Sequence, residues 1–122
     1  MNDTISLRLP ATASYGRIVR AAGANLATRL GWQAMDIGAL RVAIDEALNA
    51  LVGDSGGSGV LSVDFTVAGS DIDLVLALDT PPKKPLPTTR VSEFEAATKG
   101  RYPTAAIDAA AHRIQIITRP TS

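Results

Sequence analysis

Residues 40–52 read Leu-Arg-Val-Ala-Ile-Asp-Glu-Ala-Leu-Asn-Ala-Leu-Val, the longest strongly helical pattern in the chain. Apolar residues recur here and just upstream at the three- and four-residue spacing of one buried helix face; they are Ile37, Leu40, Ile44, Ala47, Leu48 and Leu51. Asp45, Glu46 and Asn49 lie off that face, within about one helical turn of one another. They form either a solvated polar face or a site that holds a metal or removes a proton.

The composition limits the class of protein. The chain has 122 residues, 46% of them hydrophobic, so we expect a single domain over residues 1–122 with a buried core. Its 12 basic and 12 acidic residues cancel, and no long-range field favours nucleic acid or an anionic membrane. The absence of cysteine excludes disulfides and thiolate metal sites, and one histidine excludes a multi-histidine site. We therefore expect no metal centre.

The sequence also bears on location. No apolar run approaches the roughly 20 residues that span a bilayer. Residues 1–6, Met-Asn-Asp-Thr-Ile-Ser, lack the basic and apolar regions of a signal peptide. We expect a soluble, cytoplasmic protein.

The N-terminal half alternates between strand and helix patterns. Residues 5–9 alternate apolar and polar side chains, which predicts a strand that Pro10 ends. The helix that follows ends at Gly31, and its predicted buried stripe is Tyr15, Ile18, Val19, Ala22, Leu26 and Leu30. Asp36 is placed to cap the second helix, which ends at Gly53. Residues 54–59, Asp-Ser-Gly-Gly-Ser-Gly, predict a flexible turn.

The C-terminal half begins with a hairpin. Residues 61–67 and 72–78 alternate with period two and are joined by Gly69-Ser-Asp71, which predicts an antiparallel pair. Residues 80–87 contain four prolines and predict an extended loop. Residues 92–98 predict a short helical turn, residues 104–112 a helix, and residues 114–116 a last strand. This order predicts an α+β two-layer sandwich, with helices on one face of a mixed, mostly antiparallel sheet.

The helical segment resembles the first nucleotide-site helix of the anti-sigma-factor serine kinases, which belong to the GHKL superfamily of histidine-kinase-like ATPases. The family pattern is an apolar run, then Glu, then Asn four residues later. Glu46 matches the Glu, Ala50 stands at the Asn position, and Asn49 lies one residue early. The element order over residues 4–118 is similar to that of the GHKL (Bergerat-like) fold.

The resemblance implies roles for particular residues. Glu46 would be the catalytic base, and Asn49 would replace the missing Mg²⁺ ligand only after a helix rotation of about 100°. Asp79 follows a strand, as does the Asp that binds adenine in the family, yet Pro81 and Lys83 stand at the two following glycine positions. Asp79 is therefore either the adenine-binding residue or simply a polar residue that ends a strand.

The Gly-rich phosphate lid of the family has only Lys99-Gly-Arg101 as its counterpart. Two of the family's three nucleotide-binding motifs lack their key residues in this chain, so we expect no cofactor. ATP and Mg²⁺ would bind only if the site is functional.

The first helix carries the implied partner site. In the family an Arg on this helix contacts the sigma factor and its anti-anti-sigma competitor. It stands in a motif of an aromatic residue, a small residue and Arg, which Tyr15-Gly-Arg17 matches. Arg20 lies one turn further on. Both arginines are otherwise ordinary solvated side chains. Nothing in the sequence decides for or against a homodimer.

Three hypotheses follow. The first is a non-catalytic anti-sigma-like module that binds a sigma factor or an anti-anti-sigma partner. The second is an active serine/threonine kinase of such a partner, and the third is an unrelated structural or interaction domain.

Overall fold

The computed structural model describes residues 3–53 and 59–121 of the chain, which contain five strands and three α-helices. Residues 54–58 of the predicted turn lie outside this part. A 3₁₀ turn at Ala13–Tyr15 precedes the first helix. The elements are β1 (Asp3–Pro10), α1 (Gly16–Arg29), α2 (Ala34–Leu51), β2 (Val60–Ala68), β3 (Asp71–Leu78), α3 (Thr88–Thr98), β4 (Ala106–Asp108) and β5 (Arg113–Thr118).

The strands form one sheet in the order β1-β2-β3-β5-β4. All four strand pairings among the described residues are antiparallel. Ile5 lies opposite Phe65, and Phe65 lies opposite Leu74, so the alternating apolar residues share one face. The predicted fold class, an α+β two-layer sandwich with a mostly antiparallel sheet, is confirmed.

The two faces of the sheet differ in polarity. The face under the helices is apolar and buried, and is formed chiefly by Leu61, Val63, Phe65, Ile72, Leu74, Leu76, Ile114 and Ile116. The opposite face carries polar cross-strand pairs, among them the Ser6 hydroxyl donating to Asp64 at 2.6 Å. This alternation is the pattern of a sheet with one covered face.

The close packing of α1 against α2 and β2 depends on glycine. A Cβ at Gly23 would lie 2.7 Å from Ile44 Cδ1 and 3.3 Å from Phe65 Cε1. The predicted buried stripe of α1 is therefore wrong in part, because the helix turns its small residues inward. Tyr15 and Ile18 are 39% and 46% exposed, whereas the buried residues of α1 are Gly16, Val19, Gly23, Ala24, Leu26 and Ala27.

The predicted helix over residues 104–112 is wrong. Ala106–Asp108 forms β4, which pairs with β5 and places Ile107 opposite Ile114. His112 has φ 51 and accepts a backbone hydrogen bond from Leu78, so it leads into the sheet. The alanine-rich composition favours helix, but strand pairing overrides that propensity. The helix of this region is α3, which begins at Thr88, four residues before the predicted turn.

The prediction that Asp36 caps α2 is wrong. The N-cap position is occupied by Gln33, and Asp36 lies in the first turn with 2% of its surface exposed. It accepts a hydrogen bond from Arg101 Nη2 at 2.7 Å and bonds from the backbone and hydroxyl of Thr121. Donation from the Thr121 N–H is the main cause that lowers the pKa of Asp36, against the opposing effect of burial. Asp36 thus ties α2 to the segment after α3 and to residue 121.

Candidate functional site

The candidate site residues lie on two flanks of α2. Glu46 and Ala50, four residues apart, line a small cavity beside α3. Asp45 lines a separate cleft beside the start of α1, and Asn49 lines both. We call these the α3 flank and the α1 flank of α2. The predicted polar cluster is therefore divided by the helix into two environments.

The α3 flank is closed by packing. Its cavity measures about 10 Å³ and is lined by Glu46, Asn49, Ala50, Arg90, Glu93 and Phe94. Ala50 is 3% exposed and Phe94 1% exposed, so the family's Asn position is covered by a buried aromatic ring. A volume of about 10 Å³ holds one water at most. The residues present do not fit a Mg²⁺-nucleotide held in the family's manner.

Asp79 lies away from Glu46. The alternation of β3 places Leu76 on the covered face and Leu78 on the same side, which turns Asp79 to the opposite face. There its carboxylate accepts hydrogen bonds from Arg8 and Ser62, while its backbone N–H donates to Val60 at 2.9 Å. The structure therefore does not bring Asp79 together with Glu46 and Asn49. An adenine-binding role for Asp79 stays a prediction.

The residues at the positions of the other nucleotide-binding motifs are either exposed or paired with other side chains. Pro81 and Lys83 are exposed in the loop after β3. Arg101, in the segment that corresponds to the lid, pairs with Asp36 and lies 5.5 Å from the centre of the Tyr102 ring. Burial raises the pKa of Tyr102, whose hydroxyl has no hydrogen-bond partner among the described residues. No group of three or more metal-binding side chains occurs within residues 3–53 and 59–121.

The α1 flank is open. Its cleft holds about 560 Å³ and is lined by Thr12, Ala13, Arg20, Asp45, Leu48, Asn49, Val52 and Gly53. Arg20 Nη1 donates to Asp45 Oδ1 at 2.7 Å across the cleft. The side chains of Arg20 and Asp45 are 34% and 46% exposed, so water reaches the pair. Sequence reasoning placed Asp45 in the polar cluster but missed its pairing with Arg20.

Gly16 explains how the Tyr-Gly-Arg motif fits this flank. A Cβ at Gly16 would lie 3.1 Å from Leu48 Cδ1 and 3.2 Å from Arg20 Nη1. The small residue therefore allows the start of α1 to approach α2, with the Arg20 side chain passing over it. The motif's middle position is small because of this helix contact.

Arg17 lies outside the cleft, on the exposed surface of α1. No hydrogen bond or ion pair engages its side chain within the described residues. Tyr15 and Ile18 are its exposed neighbours along the helix, at 39% and 46% exposure. An arginine beside an exposed aromatic and an exposed aliphatic residue has the composition of a protein-binding surface. We call Tyr15, Arg17 and Ile18 the α1 surface.

Comparison with known proteins gives a fold. No protein-family model matches the chain, and no curated protein matches it. Among solved structures, it is similar to the crystal structure of the RsbU and RsbW domains of Rv1364c from Mycobacterium tuberculosis, with a TM-score of 0.70 and 20% sequence identity. The match covers 97% of this chain and 32% of that chain. At this identity the likeness shows the α+β fold, and this chain spans about a third of that chain's length.

No helix within residues 3–53 and 59–121 combines the length and the apolar character needed to cross a membrane.

Proposed function

We propose that this protein is an anti-sigma-like regulator that binds a sigma factor or an anti-anti-sigma protein through the α1 surface. The observation that carries the proposal is the exposed arginine Arg17, without a partner among the described residues and flanked by exposed Tyr15 and Ile18. The resemblance of Tyr15-Gly-Arg17 to the family's partner-binding motif supports it. The fold shared with a structure that contains an RsbW domain supports it as well.

Arg17 and Arg20 have different parts in this proposal. Arg17 offers an unengaged planar fork of donors that suits a bidentate carboxylate on the partner. Arg20 is already paired with Asp45 at 2.7 Å, so a partner acid would have to share or replace that contact. Arg17 therefore contributes more to binding than Arg20.

Binding in this proposal does not depend on ATP. Ala50 at the Mg²⁺-ligand position, the ring of Phe94 above it and the outward-facing Asp79 support a lost nucleotide site. We expect ATP–Mg²⁺ to bind more weakly than about 1 mM, or about 4 kcal/mol. Isothermal titration calorimetry measures this directly. A micromolar dissociation constant would favour the kinase hypothesis, with Glu46 as the base, and Glu46→Gln should then abolish phosphotransfer while ATP still binds.

The experiment for the partner surface is affinity capture from an extract of the native cells. The baits are the wild type, Arg17→Glu and Arg29→Glu, the last being a matched charge reversal at the exposed far end of α1. The wild type and Arg29→Glu should both capture a sigma factor or its antagonist, and Arg17→Glu should not. Equal capture by all three baits would contradict binding through the α1 surface. Capture of neither class by the wild type would contradict the anti-sigma function itself.

A further inference from the structure

A second cleft lies at the end of the sheet, away from the α1 surface. It holds about 720 Å³ between the end of α2, the start of β2, the proline-rich loop and the start of α3. None of Glu46, Asn49 and Asp79 lines it. Its apolar walls are formed by Ala11, Leu51, Val52, Val60, Leu78, Pro82, Pro85, Leu86 and Pro87. We call it the basic cleft because Lys84 and Arg90 line it.

The charged side chains that line the basic cleft are cationic. They are Lys84 and Arg90, which lie beside the imidazole of His112, and the part of the lining that the structure describes contains no Asp or Glu. A low-dielectric wall beside cationic side chains strengthens the attraction for an anion. The lining therefore suits a ligand with a negative head group and an apolar body.

The position of Arg90 is built into the backbone. Gly53 follows α2 with φ 63, and a Cβ there would overlap the Arg90 guanidinium. Only glycine both adopts this conformation readily and leaves room for the side chain. None of the residues within 3–53 and 59–121 forms a hydrogen bond or an ion pair with the guanidinium, which lines the cleft with its donors.

His112 is the buried polar member of the lining. It is 4% exposed, and its backbone φ of 51 lies in the left-handed region. The one hydrogen bond of its side chain among the described residues joins Nδ1 to the Ala110 carbonyl at 3.3 Å, and no described residue bonds to Nε2. Backbone strain of this kind clusters at ligand sites.

The first turn of α3 adds a further attraction. Pro87 is its N-cap and supplies no side-chain hydrogen bond, so the helix start is uncapped beside Arg90. Free N–H groups and the helix dipole favour a negative group at this position.

We propose that the basic cleft binds a small amphipathic anion, a carboxylate or phosphate group on a hydrocarbon body. Arg90 holds the head group bidentately, Lys84 and His112 flank it, and the leucine and proline walls cover the hydrocarbon. This site is independent of the proposed partner surface, because the two share no residue.

The test is isothermal titration calorimetry of the full chain with octanoate, octyl phosphate and 1-octanol. The anions should bind at one site and 1-octanol at least about tenfold more weakly, because it lacks the charge-assisted hydrogen bonds. A preference between the two anions identifies the head group. Equal binding of 1-octanol, or no binding of either anion, would overturn the proposal.

The variants locate the site. Arg90→Gln should weaken anion binding about tenfold and leave 1-octanol unchanged, whereas Arg41→Gln, a charge loss on the exposed surface of α2, should change neither. Circular dichroism checks that each variant is folded. If Arg90→Gln is unfolded, Lys84→Gln at an exposed position takes its place, with an expected weakening of about threefold. Wild-type affinity in the folded variant would rule out the basic cleft.

Discussion

The two flanks of α2 carry neighbouring residues of one motif but are built in opposite ways. On the α1 flank, Arg20 and Asp45 meet across an open cleft of about 560 Å³. On the α3 flank, Glu46 and Ala50 face a cavity of about 10 Å³ under the Phe94 ring. The flank on which the kinase motif is incomplete is also the flank that helix packing has closed. Residues on the α3 flank should therefore govern stability, and residues on the α1 flank should contribute little to it.

The largest effect is expected from Phe94→Ala. The ring is 1% exposed and joins α3 to α2, so its removal should cost about 3–5 kcal/mol of unfolding free energy. Urea denaturation followed by circular dichroism measures the loss. Phe94→Leu is the control and should cost much less, because it keeps most of the buried volume. A loss below about 1 kcal/mol for Phe94→Ala would mean that α3 does not close this flank.

Ala50→Asn introduces the Asn of the kinase pattern and tests whether the α3 flank is closed. Because Ala50 is 3% exposed beside a cavity of about 10 Å³, the larger amide does not fit without displacing its neighbours and should cost about 1–3 kcal/mol. ATP–Mg²⁺ should not stabilise the variant in a thermal melt. A rise in melting temperature with ATP–Mg²⁺ would show that the α3 flank opens to a nucleotide, contrary to the comparison.

Asp36→Asn tests the clamp between α2 and the segment after α3. The substitution weakens bonds from Arg101 and Thr121, and at neutral pH it should lower the melting temperature by about 5 °C. Since the pKa of Asp36 is lowered by folding, its contribution is present above the ordinary value of 3.8 and is lost as the pH falls through the folded value. The difference between wild type and variant should therefore narrow in acid. A difference that is constant with pH would contradict an ionised clamp.

Asp45→Asn should have the smallest effect. The Arg20–Asp45 pair is 34% and 46% exposed, so its loss should change the unfolding free energy by no more than about 0.5 kcal/mol. Chemical denaturation of wild type and variant side by side measures it. A cost above about 1.5 kcal/mol would show that the α1 flank also stabilises the fold. It would contradict the difference in stability that we expect between the two flanks.

The sequence predicted those features that side-chain periodicity encodes directly. The buried face of α2 and the alternation of β2 and β3 follow from hydrophobic spacing, and Leu40, Ile44 and Phe65 are buried as expected. The same alternation predicts the face of the sheet on which Asp79 lies. Asp79 directly follows Leu78, so its side chain faces away from the covered side of the sheet. This alternation favours the interpretation of Asp79 as a polar residue at the end of a strand over a position beside Glu46.

Other features depended on contacts that no local pattern specifies. Arg20 and Asp45 are 25 residues apart, and their pairing depends on the relative rotation of α1 and α2. The exposure of Tyr15 and Ile18 depends on Gly16 and Gly23 turning inward, which requires knowing that the helices approach closely. The strand β4 lies in an alanine-rich segment whose local propensity favours helix, and only its pairing with β5 determines its structure.

The most direct test of the central claim is the affinity of the captured partner for wild type, Arg17→Glu and Arg29→Glu, each with and without ATP–Mg²⁺. The account predicts that Arg17→Glu weakens binding by about 2 kcal/mol or more, roughly thirtyfold. Arg29→Glu should bind as the wild type does, melting temperatures should agree within the small range of surface substitutions, and ATP–Mg²⁺ should change none of the affinities. Equal binding by Arg17→Glu and wild type, or an affinity that depends on ATP–Mg²⁺, would contradict it.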